Sequence, residues 1–384
     1  MVQPPNVSLE DSRPQNDRER KRRRETWLRD RKFSIGASDA AAACGLSRYR
    51  APWDLWADKV SYGTNAEDTG EAFDESVNEA IYWGNKLEPH IRAKAKERLG
   101  HVYHPGRYKI FRHPEYRMLT ATLDGRIAEP TDAVMDLFEG FPTKSMELVK
   151  GHGLLEIKTS GNAAEWGESP DSYPVEYMAQ VQHAMNVTGF TWGVLACLMG
   201  GFGGNRVRYY PFVRVPEFIS ALQAKELSFW NSHVSTRIPP DITKENLGSQ
   251  IDSIRAKFAA EIQGKVIELE PEYDMVDEVK QHASRVRRQA SVVEDYCQAV
   301  LMTRLGDCEI GILQNGAAYH FKTVERKEYV VKASSTRRLT RTTNKKKIEA
   351  AREKIEDVPE IQKFQVSTPR QISSDKPQRE EAAV

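Results

Sequence analysis

Short apolar stretches and helical patterns of apolar residues alternate between residues 27 and 237. Stretches typical of strands cover 102–112, 117–128, 153–159, 190–199 and 209–213. Helical patterns cover 52–60, 87–99 and 174–188. Strands that alternate with helices in this way predict a three-layer α/β core.

The pattern changes beyond Pro240. Apolar residues between Val276 and Val300 recur at alternating steps of three and four, which predicts a helical hairpin or coiled coil over 241–306. Residues 307–365 predict a β-hairpin that turns at Asn315-Gly316, followed by a basic helical segment.

Polar segments lie at both ends of the core and inside it. Residues 1–26 form a basic N-terminal segment that we expect to be disordered, as we do 366–384. The Gly- and acid-rich residues 61–79 predict an exposed loop or lid. The folded core is therefore predicted over 27–240.

Composition narrows the class of protein. Hydrophobic residues make up 39% of the chain and charged residues 29%, and neither a membrane span nor a signal peptide is indicated. We therefore expect no membrane partner and a cytoplasmic location. The net charge of +1 gives no argument for nucleic acid, but basic runs at 18–24 and 337–347 could contact phosphate or be solvated.

The sharpest group of chemical residues is Asp124 with Glu156 and Lys158, which lie at the ends of apolar strands. Side chains alternate along a strand, so Glu156 and Lys158 share one face while Ile157 points to the core. If the two strands pair, two carboxylates and an ammonium group converge. The alternative is an Asp124-Gly125 turn and a surface ion pair.

Such a group suits phosphodiester hydrolysis. Mg²⁺ prefers oxygen ligands and keeps several waters, so one or two carboxylates suffice to hold it. A neighbouring lysine can orient the attacking water or stabilise developing negative charge.

Five motifs in order carry a resemblance to a known family. They are Gly36-Ala37-Ser38-Asp39, Trp83-Gly84-Asn85-Lys86-Leu87-Glu88-Pro89, Thr122-Leu123-Asp124-Gly125, Glu156-Ile157-Lys158 and Tyr177-Met178-Ala179-Gln180-Val181-Gln182. Together they resemble the YqaJ-like viral recombinase family of PD-(D/E)XK nucleases, which is similar to the phage lambda exonuclease. Leu123 departs from the proline that the family often has at that position.

The resemblance implies an α/β fold with a PD-(D/E)XK restriction-endonuclease-like core, a mixed central sheet flanked by helices. The C-terminal helical hairpin and the small β-hairpin would extend it. It also implies a metal site, Mg²⁺ with Mn²⁺ as a substitute, held by Asp124, Glu156, the Ile157 carbonyl and Glu88. Lys158 would position or activate the attacking water.

The resemblance implies three further roles. Gln180 would hydrogen-bond near the nucleophile, although a plain polar position on an amphipathic helix is the alternative. Arg31 and Ser38 would hold the 5′-terminal or scissile phosphate. For Ser38, which begins an alanine-rich helical segment that ends at Gly45, an ordinary N-cap is the alternative.

The function implied is a deoxyribonuclease encoded by a phage or prophage and acting in the bacterial host. It would degrade linear double-stranded DNA from 5′ to 3′, release 5′-phosphomonoesters and leave 3′ single strands for an annealing recombinase. A homo-oligomeric ring is a further expectation from the family. The alternatives are an endonuclease of the same fold and a non-catalytic DNA-binding or scaffold protein.

Overall fold

The chain divides into two compact units, Met1–Lys257 and Phe258–Val384. The computed structural model describes residues 17–60, 79–106, 108–162, 165–167, 169, 172–200, 206–258, 260–323 and 343–353. Residues 61–78 of the loop predicted at 61–79, residues 1–16 of the segment predicted at 1–26 and the predicted disordered tail 366–384 lie outside these ranges. No helix in the described ranges is both long and apolar enough to cross a membrane.

The helices and strands are numbered along the chain. The helices are α1 (Asp17–Lys32), α2 (Ala40–Ala43), α3 (Pro52–Val60), α4 (Glu79–Leu99), α5 (Asp132–Met135), α6 (Thr143–Met146), α7 (Val175–Thr188), α8 (Pro216–Phe229), α9 (Leu247–Lys257), α10 (Glu272–Leu305) and α11 (Lys345–Arg352). The strands are β1 (Ile35–Gly36), β2 (Val102–Tyr103), β3 (Phe111–Arg112), β4 (Leu119–Ala121), β5 (Gly125–Ile127), β6 (Gly153–Ser160), β7 (Trp192–Met199), β8 (Arg206–Val213), β9 (Ile310–Ile312) and β10 (Ala318–His320).

The first unit is built on a mixed five-stranded sheet in the order β2-β5-β6-β7-β8. Only β6 and β7 pair in parallel, and the other neighbours are antiparallel. A second sheet of three short strands has the order β1-β4-β3. This mixed α/β architecture, with helices flanking the central sheet, is the predicted fold class.

The two faces of the central sheet bury different side chains of β6. Leu155 and Ile157 join an apolar cluster with Ile91 and Leu99 of α4. Leu154 points the other way, into a cluster that also holds residues of α3 and α7. The alternation puts Glu156 and Lys158 on the α7 side of the sheet, because residues two apart on a strand share a face.

Two predicted strands are each divided between the two sheets. The stretch 102–112 forms β2 and β3, and Gly106 between them has φ +113°, which does not occur in a strand. The stretch 117–128 forms β4 and β5, separated by 122–124. Apolar and aromatic residues on both sides of each break made each stretch resemble one strand, and the second break carries Asp124.

Helix α4 begins earlier than its apolar stripe predicts, so Pro89 lies inside the helix rather than in its first turn. Proline has no N–H to donate to the carbonyl four residues earlier. That carbonyl belongs to Asn85, an exposed residue, so solvent can hydrate it.

The basic N-terminal segment expected to be disordered is helical from Asp17, within α1. Arginine and lysine are good helix formers, and Glu19 pairs with Arg23 one turn later at 2.6 Å. High charge therefore did not prevent local order here.

The two helices predicted as one hairpin over 241–306 belong to different units. Helix α9 belongs to the first unit. Ser249 Oγ donates a hydrogen bond to Asp54 Oδ2 at 2.9 Å, and Ile254 packs against the apolar cluster that holds residues of α3 and α7. Helix α10 belongs to the second unit, and Val279 and Val293 on its apolar stripe are exposed. In that unit β9 and β10 pair antiparallel around the predicted Asn315-Gly316 turn.

A fully buried ion pair joins α7, α8 and β4. His183 Nδ1 lies 2.6 Å from Glu226 Oε1, and His183 Nε2 donates to the Thr120 carbonyl at 2.9 Å. Burial would lower the pKa of His183, but Glu226 and the two hydrogen bonds outweigh burial and raise it. The protonated imidazole therefore stabilises the fold.

We expect the free energy of unfolding, measured by urea titration in EDTA, to fall as the pH rises above about 6.5. A raised folded-state pKa gives stability that is fully present below the ordinary histidine pKa of about 6.5 and is lost as pH rises through the folded value. Glu226→Gln should flatten this pH dependence, because His183 then loses the charge that holds its proton. Glu217→Gln, at an exposed position of the same helix, should keep the parent's profile, and equal slopes in all three proteins would contradict the assignment.

Candidate active site

Antiparallel pairing of β5 with β6 brings the two central carboxylates together. Gly125 pairs with Leu155, so Asp124 and Glu156 are the next positions along the two strands. Asp124 Oδ2 accepts a hydrogen bond from Ile157 N at 2.9 Å and so ends the ladder with a side chain. A Cβ atom at Gly125 would lie 2.9 Å from Leu155 Cδ2, which explains the glycine after Asp124.

Glu156 is buried beside two hydrogen-bond donors. Only 2% of the residue is exposed, and its Oε1 accepts from Lys158 Nζ at 2.6 Å and from Gln180 Nε2 at 2.5 Å. Burial, and then the charge of Asp124, raise the pKa of Glu156, while Lys158 opposes them. Ionisation of Glu156 is therefore costly in this site.

Lys158 remains a cation in this environment. Burial would lower its pKa, but Glu156 and Asp124 outweigh burial and raise it. Its ammonium group lies 5.4 Å from the centre of the Tyr177 ring, a cation–π distance. Lys158 can therefore donate hydrogen bonds and neutralise negative charge, but it is poorly suited to accept a proton.

Arg92 links Glu88 on α4 to Asp124, and it belongs to none of the five sequence motifs. Arg92 donates to Glu88 Oε1 and, at 2.7 Å from its Nε, to the Asp124 carbonyl. Glu88 also contributes to the raised pKa of Glu156. The i, i+4 spacing of Glu88 and Arg92 was the available signal, but such pairs are common on helix surfaces.

The two glutamines of α7 differ in surroundings. Gln180 donates to Glu156, whereas Gln182 is fully buried and bonds to backbone at the end of β8. Its Nε2 donates to the Val213 carbonyl at 2.7 Å and its Oε1 accepts from Val215 N at 2.9 Å. Because residues two apart on a helix lie about 200° apart around its axis, the two side chains cannot face the same site.

Arg31 and Ser38 form a pair of their own. An Arg31 guanidinium nitrogen lies 3.2 Å from Ser38 Oγ, and the guanidinium carbon lies 4.7 Å from the centre of the Trp27 ring. Trp27 Nε1 donates to Thr122 Oγ1 at 3.1 Å, two residues before Asp124. The pair is thus tied to the segment that leads into the carboxylate centre.

The N-cap prediction for Ser38 is wrong. Ser38 lies inside a 3₁₀ turn, Ala37–Asp39, that leads into the four-residue α2. The side chain that caps the turn is that of Asp39, whose Oδ2 accepts from Gly36 N at 3.2 Å. The Ser38 hydroxyl is exposed and contacts Arg31 instead.

A buried ion pair that sequence reasoning missed lies beneath this turn. Lys59 Nζ donates to Asp39 Oδ2 at 2.6 Å and to the Arg31 carbonyl at 2.7 Å. Burial would raise the pKa of Asp39, but Lys59, Arg31 and Arg50 together lower it. The pair connects the segments that carry Arg31 and Ser38.

The donor groups present fit a magnesium-type ion. Among the described residues no three Asp, Glu, His or Cys side chains are close enough to form a ligand cluster. Asp124 and Glu156 nevertheless give two adjacent carboxylates, the number that Mg²⁺ needs beside its waters. The charge repulsion that raises the pKa of Glu156 is the kind that a divalent cation relieves.

Comparison with known proteins points to one family. Residues 26–191 match the YqaJ-like viral recombinase domain. The uncharacterized protein YqaJ of Bacillus subtilis (strain 168) is 27% identical over 301 residues, which cover 76% of this chain and 81% of that protein.

Several solved structures are similar over part of the chain. The alkaline exonuclease LHK-Exo from Laribacter hongkongensis is 18% identical, with a TM-score of 0.36, over 61% of this chain and 98% of that one. Its complex with dAMP gives 19% and 0.37 over the same shares. A phage related exonuclease from Haemophilus somnus 129PT is 12% identical, with a TM-score of 0.30, over 53% of this chain and 96% of that one.

The matched range 26–191 contains every residue of the site described above, from Arg31 to Gln180. The five ordered motifs all lie within the matched range, so the motifs and the domain match agree that residues 26–191 are similar to the YqaJ-like viral recombinase domain.

Proposed function

We propose that this chain is a divalent-metal-dependent deoxyribonuclease whose centre is Asp124, Glu156 and Lys158. The observation that carries the proposal is the convergence of two carboxylates and a charged lysine at the end of the β5–β6 ladder. A surface ion pair, the alternative that the residues alone left open, would not be buried.

The donor set favours Mg²⁺, with Mn²⁺ as a substitute. Asp124, Glu156 and the Ile157 carbonyl would hold the metal, and Glu88 would reach it directly or through water. When bound, such an ion lowers the pKa of water and neutralises negative charge on a phosphoryl group.

The residues of the chain supply orientation and charge. The Ile157 N–H holds the Asp124 carboxylate, and Gln180 holds that of Glu156, so neither carboxylate is free to turn. Lys158, kept cationic by these carboxylates, would orient the attacking water and stabilise charge on the phosphate. Hydrolysis forms a bond from the water oxygen to phosphorus and breaks the bond to O3′, which leaves a 5′-phosphate.

The Arg31–Ser38 pair supports binding of a terminal or scissile phosphate. A guanidinium can bind phosphate through two hydrogen bonds, and the Ser38 hydroxyl beside it can supply another. A pocket for a 5′ phosphate suits an exonuclease that starts at the 5′ end of linear duplex DNA. We therefore propose 5′-to-3′ degradation that leaves a 3′ single strand for phage-type recombination.

Two alternative functions and two further expectations accompany this proposal. An endonuclease of the same fold would use the same centre without an end. A non-catalytic DNA-binding scaffold would need none of the centre, yet Glu88, Asp124, Glu156, Lys158 and Gln180 are all present. An annealing recombinase as partner and a ring-shaped homo-oligomer complete the proposal.

Linear duplex DNA labelled at either 5′ end, with a 5′ phosphate or a 5′ hydroxyl, should be degraded from that end in Mg²⁺ and not in EDTA. Covalently closed circular DNA should survive, because it offers no end. The measurement is gel analysis of a time course, with Asp124→Asn as the inactive control. Cutting of the circle would assign an endonuclease, and duplex binding without hydrolysis in any divalent metal would favour the scaffold.

Lys158→Met should slow hydrolysis by about 100- to 1000-fold, because a positioned cation at the reacting phosphate is removed. Lys94→Ala is the matched control, since Lys94 is exposed on α4 and pairs with Glu97 at 2.7 Å. Single-turnover rates at saturating enzyme separate the chemical step from binding, and thermal unfolding checks the fold. Equal rates for the two variants would remove Lys158 from the mechanism.

Gln180→Ala and Gln182→Ala should fail in different ways. The first releases the Glu156 carboxylate, so we expect a rate loss of up to about 100-fold with the stability of the parent. The second leaves the buried Val213 carbonyl and Val215 N–H unsatisfied and should lower the free energy of unfolding by about 1–3 kcal/mol. Urea unfolding beside single-turnover rates distinguishes them, and the reverse pattern would overturn both roles.

A further inference from the structure

Helix α1 has two faces, and one of them continues the surface that carries the Arg31–Ser38 pair. Residues 24, 27 and 31 are spaced three and four apart, so they follow one side of the helix. We call Arg24, Trp27 and Arg31 the α1 track.

The C-terminal end of the track is fixed to the body of the first unit. Trp27 bonds to Thr122 and Arg31 to Ser38, and the Arg31 carbonyl accepts from buried Lys59. Asp30 adds an ion pair with Arg112 at 2.8 Å. Since α1 is one continuous helix from Asp17, the direction of the track is set by these contacts.

The opposite face of α1 is also basic, but it lies on the other side of the helix from the α1 track. Arg18, Arg22 and Arg29 are exposed and lie about 140–180° around the helix from Trp27. Glu25 is also exposed on that face. A substitution on this face therefore serves as a control for the effect of positive charge alone on DNA binding.

We propose that the α1 track binds the DNA phosphate backbone, leading away from the phosphate held by Arg31 and Ser38. The inference rests on the proposed nuclease function, and it adds a binding surface outside the site. With a rise of 1.5 Å per residue, Arg24 lies about 10 Å along α1 from Arg31. One DNA strand carries a phosphate about every 3.4 Å of duplex axis, so this length faces several phosphates.

Charge complementarity selects nucleic acid as the occupant. Helix α1 holds nine basic and four acidic residues, in a chain whose overall charge is only +1. Guanidinium groups in a row suit a repeating phosphate better than a single anion. The Trp27 ring under Arg31 keeps the end of the track rigid.

The test compares two variants that remove the same charge from the two faces. Arg24→Gln alters the track, and Arg22→Gln alters the opposite face. Binding of a fluorescein-labelled 30-base-pair duplex is measured by anisotropy in EDTA, where hydrolysis does not occur, over a series of salt concentrations. Circular dichroism checks that both variants keep the helix content of the full-length parent.

We expect Arg24→Gln to bind the duplex about threefold to tenfold more weakly. It should also lower the slope of log K against log salt by about 0.9, the value for one phosphate that the protein no longer neutralises. Arg22→Gln should keep the parent's affinity and slope.

Equal effects of the two variants would overturn the track, because charge alone would then explain the binding. A parent that hydrolyses DNA in Mg²⁺ yet does not bind it in EDTA would also overturn it. A parent that binds through the track but never hydrolyses DNA would instead refute the proposed function and leave the track standing.

Discussion

The hydrogen bond from Ile157 N to Asp124 Oδ2 is the constraint on which the site depends. It replaces a carbonyl acceptor by a carboxylate where the β5–β6 ladder ends. One carboxylate is thereby bound to the backbone of the strand that carries the other. Asp124 and Glu156 cannot move apart unless the central sheet opens, and that sheet is covered by apolar clusters on both faces. The packing of the core thus offsets the repulsion between two charges held in a buried place.

The first unit buries two carboxyl groups, Glu156 and Asp39, whose pKa values shift in opposite directions. Around Glu156, burial and then the charge of Asp124 outweigh Lys158, so the pKa of Glu156 rises. Around Asp39 the cations Lys59, Arg31 and Arg50 exceed the acid, and the pKa of Asp39 falls. Neither centre needs a partner to fold, because each buried charge has a hydrogen-bonded counter-ion.

Sequence patterns predicted what local spacing controls. The alternation along β6 gave the faces of Glu156, Ile157 and Lys158, and the helical pattern over 174–188 gave the ends of α7 to within one residue. Patterns failed where a tertiary contact decides. The stretch 117–128 resembles one strand although its halves belong to different sheets, and α9 belongs to the first unit whereas α10 belongs to the second. Arg92 and the Asp39–Lys59 pair were missed because their partners are known only once the chain is folded.

Helix α7 explains why the two halves of the centre stay in register. Gln180 bonds to the carboxylate on β6, Gln182 to the backbone at the end of β8, and His183 to a carbonyl of β4 and to α8. Strand β4 leads through Thr122 into Asp124, while β6 carries Glu156. One turn of helix therefore touches both strands that deliver a carboxylate. A shift of α7 along its axis would disturb all four of these polar contacts at once, each of which is costly to leave unmade. The polar residues of this apolar helix thus hold the geometry of the site, and only Gln180 contacts the carboxylates themselves.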